Sequence, residues 1–215
     1  RNDNGDHTSF DMSKFRDAGN VHNIFLRIQE AGKKNVPIDL GIWNAPDWMV
    51  ANPGNRLDRR IRHWDEFIES IAAWLVTCRD KYGTLIDYVD CNEANDGYAF
   101  LELTPKEWAD MAVKGHKKFQ ELGLPTKFLL CDTDSPLEDE LNYAKAIWSF
   151  EYARPSLGPM SLHAYWTKDP KHFYAIGDFS AESGVPYFCA EADYDAKLWK
   201  NVDRLAWGHA EDIGL

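Results

Sequence analysis

Apolar positions along the chain alternate between two spacings. Val21, Ile24, Phe25 and Ile28 recur at helical intervals over residues 21–34, and Gly32 and Asn35 fall where that helix should stop. Ile38–Trp43 then reads as a short continuous strand. Residues 58–81 place Ile61, Trp64, Phe67, Ile68, Ile71, Trp74 and Leu75 on one helical face, Gly83 closes the helix, and Leu85–Cys91 is the next strand. Two further helix starts are spelled as capping boxes, Thr104-Pro105-Lys106-Glu107 and Ser135-Pro136-Leu137-Glu138. In each, the hydroxyl can accept from an orphan N–H while Glu reaches back to the cap. The first of these helices ends near Gly123 and the second near Ala153. Strands are expected at Lys127–Cys131, Pro159–Tyr165 and Pro186–Ala190, with helical stretches over roughly 170–182 and 196–208.

Five strands each separated by a helix imply parallel pairing through right-handed crossovers. The strands are nearly unbroken apolar runs, as expected where both faces are covered. A closed barrel and an open doubly wound sheet both satisfy this order. The chain has no GxGxxG or GxxxxGK[ST] loop, which disfavours the doubly wound sheet. No linker or low-complexity tract divides the sequence, so residues 1–215 read as a single domain.

Composition narrows the partners. With 24 Lys and Arg against 35 Asp and Glu, the net charge is -11, which repels phosphate backbones and anionic lipid. No run is apolar enough to span a bilayer. The four cysteines fit neither a CxxC metal site nor a disulfide framework, and those in apolar strand-like runs read as buried free thiols. Nine Trp suit either a large core or sugar-stacking surfaces. Trp64, Trp74, Trp108 and Trp148 lie on helical apolar faces and are assigned to the core.

Active sites of parallel barrels form at the C-terminal ends of the strands. Those ends carry Trp43-Asn44, Asn92-Glu93, Asp132-Thr133-Asp134, His163-Ala164-Tyr165-Trp166 and Glu191. Three strand units separate Glu93 from Glu191, which puts them across the mouth of a barrel. There, one carboxyl can protonate a glycosidic oxygen while the other approaches the anomeric carbon from the opposite face. The plain alternative is that each Glu caps a helix or pairs with a cation. Asp132 and Asp134 are read as helix caps or cleft lining, and no metal site is expected.

Together these motifs resemble clan A glycoside hydrolases, the barrel group that includes families 5, 30 and 39. Asn92-Glu93 resembles the Asn-Glu pair of the fourth strand and Glu191 the lone Glu of the seventh. His163-Ala-Tyr165 resembles the His-x-Tyr segment of the sixth strand, and Trp43-Asn-Ala-Pro46-Asp-Trp48-Met49 the Trp-x-x-Pro-x-Trp-Met loop after the third. Ala94 stands where many members have Pro. The resemblance implies a (β/α)8 barrel that is incomplete here: strands 3 to 7 are present, while 1, most of 2, and 8 are missing. It implies a single barrel domain truncated at both ends, whose isolated chain would be poorly soluble or inactive. It implies retaining cleavage of β-glycosidic bonds, with Glu93 as acid/base and Glu191 as nucleophile. Asn92 and His163 would hold sugar hydroxyls and Tyr165 would orient Glu191. Trp43, Trp166 and Asn44 would contact substrate, and Arg1 stands where many members carry an Arg paired with the nucleophile. The implied partner is an oligosaccharide or polysaccharide, with no cofactor, nucleic acid or membrane. The alternatives are a non-catalytic carbohydrate-binding barrel, an inactive fragment, or a metal-dependent barrel hydrolase.

Overall fold

A computed structural model describes residues 11–13, 15–55, 59–91, 93–95, 101–133, 136–164 and 169–191. The elements follow in strict alternation: α1 (Asn20–Gly32), β1 (Asp39–Gly41), α2 (Trp64–Tyr82), β2 (Tyr88–Asp90), α3 (Pro105–Glu121), β3 (Lys127–Phe128), α4 (Leu137–Trp148), β4 (Met160–His163), α5 (Pro170–Ser183) and β5 (Tyr187–Glu191). Two 3-10 turns, Asp47–Met49 and Glu151–Ser156, lie in the connections. The expected helix over 196–208 falls outside the described residues.

All pairings between neighbouring strands are parallel. β1, β2 and β3 form one sheet in that order, and β4 and β5 form a second. Backbone bonds bridge the two sheets: Leu130 donates to the Pro159 carbonyl at 2.9 Å and Ser161 to that of Cys131 at 3.3 Å. The strands therefore follow one another in chain order without the reversal that marks a doubly wound sheet. Each helix packs on the next in the same sequence, α1 on α2 through α4 on α5.

Local chemistry explains the boundaries. Thr104 accepts from the Glu107 N–H and the Glu107 carboxylate takes the Thr104 N–H, so the expected capping box forms at α3. Helix α4 starts at Leu137 with Pro136 at the cap position, and Ser135, where the second capping box is expected, lies outside the described residues. That helix also stops at Trp148, where the Arg154 guanidinium takes the Trp148 carbonyl and a 3-10 turn follows. Helix α2 starts six residues later than periodicity suggests. Residues ahead of it pair with the preceding loop instead: Val50 bridges Ile61, and Ala51 donates to the Arg60 carbonyl at 2.9 Å. Gly83 ends α2 in a left-handed conformation (φ 64°) that closes the last carbonyls. Gly115 lets α3 lie directly on the Phe128 ring, where a β-carbon would collide.

The core joins Phe25, Phe67, Trp108, Phe119 and Phe128 across the helices and the sheet. Trp108 is fully buried and its indole N–H donates to the Leu129 carbonyl at 3.0 Å, as the core assignment requires; Trp64, Trp74 and Trp148 are partly buried against the same core. Cys78, Cys91 and Cys131 are buried free thiols. Cys189, expected to be buried by its apolar neighbours, is exposed because β5 shows most of its length to solvent. No helix among the described residues is long and apolar enough to cross a membrane.

Candidate active site

β4 is buried along its whole length and ends at His163. Its pairing with β5 runs in register from Met160↔Tyr187 to Leu162↔Cys189 and then slips, so that His163 faces Glu191 with Ala190 left over. Side chains alternate faces along a strand, so this one-residue slip turns Glu191 to the side that Ala190 would otherwise occupy. The Ala164 N–H donates to the Glu191 carbonyl at 2.9 Å and closes the register beyond the bulge.

Glu93 follows β2 in a left-handed backbone conformation (φ 51°), which costs a non-glycine residue about 1–2 kcal/mol. Its neighbours hold it there. The Ala94 N–H reaches both the Cys91 and the Asp132 carbonyls at 3.2 Å. The Asn95 side chain donates to the Leu103 carbonyl and accepts from the Leu103 N–H. Strain fixed by surrounding bonds is common at functional positions.

These two loops bring together the expected acidic pair. Glu93, His163 and Glu191 each place one carboxylate oxygen or ring nitrogen within 4.8 Å of the others. Both glutamates are partly exposed, whereas His163 is fully buried. The imidazole Nε2 lies 2.6 Å from Asp132 Oδ1, and Nδ1 lies 3.9 Å from Glu93 Oε1. His163, expected to hold a sugar hydroxyl, is thus buried between carboxylates in the free chain. Asp132 also differs from its expected role: it neither caps α4 nor lines the open cleft, but is buried and accepts from the Ser161 hydroxyl at 3.2 Å.

Beneath the pair, carboxyls from three consecutive strands interact in series. Asp39 on β1 hydrogen-bonds Asp90 on β2, and Asp90 hydrogen-bonds Asp132 after β3. Burial, helped by the hydrogen bond to Asp132, pushes the Asp90 carboxyl well above the ordinary range. Burial and the nearby Asp39 charge raise Asp132 to about 7. Asp90 therefore keeps its proton and donates a hydrogen bond to Asp132. Sequence inspection missed this series because Asp39 and Asp90 lie inside apparent apolar strands.

On the β1 side, Trp43 is 45% exposed on the loop where a stacking platform was expected. The loop is clamped by Arg59, which is nearly buried. Its Nε donates to Asn44 Oδ1 at 2.7 Å, one terminal nitrogen to Asp47 at 3.0 Å and the other to the Ala45 carbonyl at 2.6 Å. Asn44, expected to contact substrate, accepts at Oδ1 from the Ala45 N–H and the Arg59 Nε–H. An apolar cavity of about 650 Å³ lies alongside, lined by Phe15, Leu40, Ile42, Trp43, Phe67 and Trp74 among others. Arg1, Asn92, Asp134, Tyr165 and Trp166 lie outside the described residues.

No protein-family model and no curated protein matches this chain. Solved structures do. The chain is similar to an endo-β1,6-glucanase at 16% identity and TM-score 0.64, over 84% of this chain and 43% of that one. It is similar to SrfJ from Salmonella typhimurium at 15% identity and TM-score 0.68, over 88% and 45%. It is similar to a GH30 endoxylanase from Clostridium papyrosolvens C71 at 13% identity and TM-score 0.70, over 94% and 51%. At these identities the likeness is one of fold, an α/β arrangement of helices and parallel strands, and the chain spans about half the length of the structures it matches. The structural neighbours thus include glycoside hydrolases, the class that the sequence motifs resemble.

Proposed function

We propose that this chain forms part of the wall of a (β/α)8 barrel and carries the catalytic pair of a retaining glycoside hydrolase acting on β-linked oligo- or polysaccharides. The observation that supports it is the meeting of Glu93 and Glu191, from two distant strand ends, with oxygens within 4.8 Å. Retaining enzymes hold their carboxyl groups about 5–5.5 Å apart, whereas inverting enzymes leave about 6.5–9.5 Å for a water. The spacing here favours the retaining geometry. Fold neighbours described as a glucanase and an endoxylanase favour a polysaccharide substrate.

In this mechanism the Glu191 carboxylate attacks the anomeric carbon while Glu93 protonates the departing glycosidic oxygen. A glycosyl ester on Glu191 results. Glu93, now a carboxylate, takes a proton from water, which attacks the same carbon and releases Glu191. Trp43, 45% exposed on the loop after β1, is assigned to stack on a sugar ring. Arg1, Asn92, Tyr165 and Trp166 are assigned to substrate or nucleophile by the motif resemblance alone. The test is sugar release from aryl β-glucosides and β-xylosides by the parent chain, E93Q and E191Q. The mechanism expects E191Q to be inactive and E93Q to lose about 10²–10⁴-fold where the leaving group needs a proton. Undiminished release by E191Q would contradict it.

A further inference from the structure

The His163 ring lies between two carboxylates and is closed off from solvent, and its backbone is held from a third direction. The bulge in β5 breaks the ladder beside His163, and the Glu140 carboxylate takes the His163 N–H at 3.2 and 3.3 Å. Glu140 belongs to α4 and is itself fully buried. A buried carboxylate on a helix costs free energy unless it is satisfied, and the His163 N–H is one of the groups that satisfy it.

We propose that His163 is a positioning residue for Glu93, held in the Nε2–H tautomer by Asp132 and in its orientation by Glu140. The proposal rests on the acid/base reading of Glu93. A carboxylate at Nε2 draws the ring proton to that nitrogen, which leaves the Nδ1 lone pair facing Glu93. Nδ1 lies 3.9 Å from Glu93 Oε1, longer than a hydrogen bond, and its lone pair takes the Glu93 O–H as the carboxyl closes on it in the substrate complex, which holds the carboxyl in its proton-donating form and rotamer. Among the described residues, the charged groups that face the ring are Asp132 after β3, Glu93 after β2 and Glu191 at the end of β5. Asp90 lies one carboxyl further on, behind Asp132. A ring so enclosed serves Glu93. Asp132 and Glu140 touch no substrate and act through His163.

Two measurements test this. In the 15N-labelled full chain, the His163 ring nitrogens are assigned by comparison with H163Q and their protonation is read by NMR. The proposal expects a single Nε2–H tautomer in the parent chain and a mixture in D132N. A proton on Nδ1, alone or together with Nε2, would overturn it. The second measurement compares kcat/KM for a dinitrophenyl and an unsubstituted phenyl β-glycoside. H163Q, D132N and E140Q should each lose at least about tenfold on the phenyl substrate, which needs protonation, and less than about threefold on the dinitrophenyl one. Equal losses on both would reduce the three residues to structural support and overturn the proposal. Circular dichroism of each variant identifies any that fails to fold, and H163Q alone suffices for the comparison. A parent chain that cleaves neither glycoside matches the expectation for an incomplete barrel, and the ring tautomer then decides the proposal.

Discussion

Asp90 donates a hydrogen bond to Asp132 between neighbouring strands, and both carboxyls are fully buried. A proton must stay with Asp90 for this contact to be favourable, since two like charges in low dielectric repel. Both folded-state pKa values lie above the ordinary aspartate value of 3.8, Asp132 at about 7 and Asp90 higher. The folded state therefore binds more protons than the unfolded chain, and the associated stability is complete below about pH 4 and lost as pH rises through 7 and beyond. Asp90→Asn keeps a donor toward Asp132 and an acceptor for Asp39 without an ionisable proton. The variant should melt at the same temperature as the parent at pH 4 and on the order of a few degrees higher at pH 8. A difference that shrinks or reverses with rising pH would contradict the protonated assignment.

The Arg59 clamp fixes the loop that presents Trp43. Arg59→Met keeps the side-chain length but removes all three donors, leaving the Ala45 carbonyl and Asn44 Oδ1 without that partner. A cost of about 1–3 kcal/mol is expected for such unsatisfied groups. On the proposed function, KM for an oligosaccharide should rise severalfold while kcat for a small aryl glycoside changes little. A melting temperature that falls with an unchanged KM would remove this loop from substrate contact.

The cluster of Glu93, His163 and Glu191 is tight enough that a divalent cation is a rival occupant. The glycosidase reading expects dialysis against EDTA to leave the rate of sugar release unchanged. A loss of activity restored by added Mn²⁺, Mg²⁺ or Zn²⁺ would instead favour the metal-dependent hydrolase.

Much of the architecture is legible in the sequence because it is written in local patterns. Helical spacing marked α1 and α2, capping-box sequences pointed to α3 and α4, and apolar runs ending in polar residues marked the strand ends that carry Glu93 and Glu191. What escaped depends on contacts between distant segments. The slip that turns Glu191 toward His163 is a property of β4–β5 register, and nothing in Tyr187–Glu191 announces it. His163 was read as a sugar contact because its place at a strand end is visible, whereas Asp132, Glu140 and Glu93 closing around it are not. Arg59 was assigned to a helix by periodicity, yet its bonds to Asn44, Ala45 and Asp47 hold it in a loop.

The most direct measurement follows the anomer first released from an aryl β-glycoside by 1H NMR. Glu191 acting as nucleophile with Glu93 as acid/base gives two inversions, so the β-anomer must appear first and equilibrate to the α-form only later. Initial appearance of the α-anomer would contradict the nucleophilic role of Glu191 and the double displacement built on it.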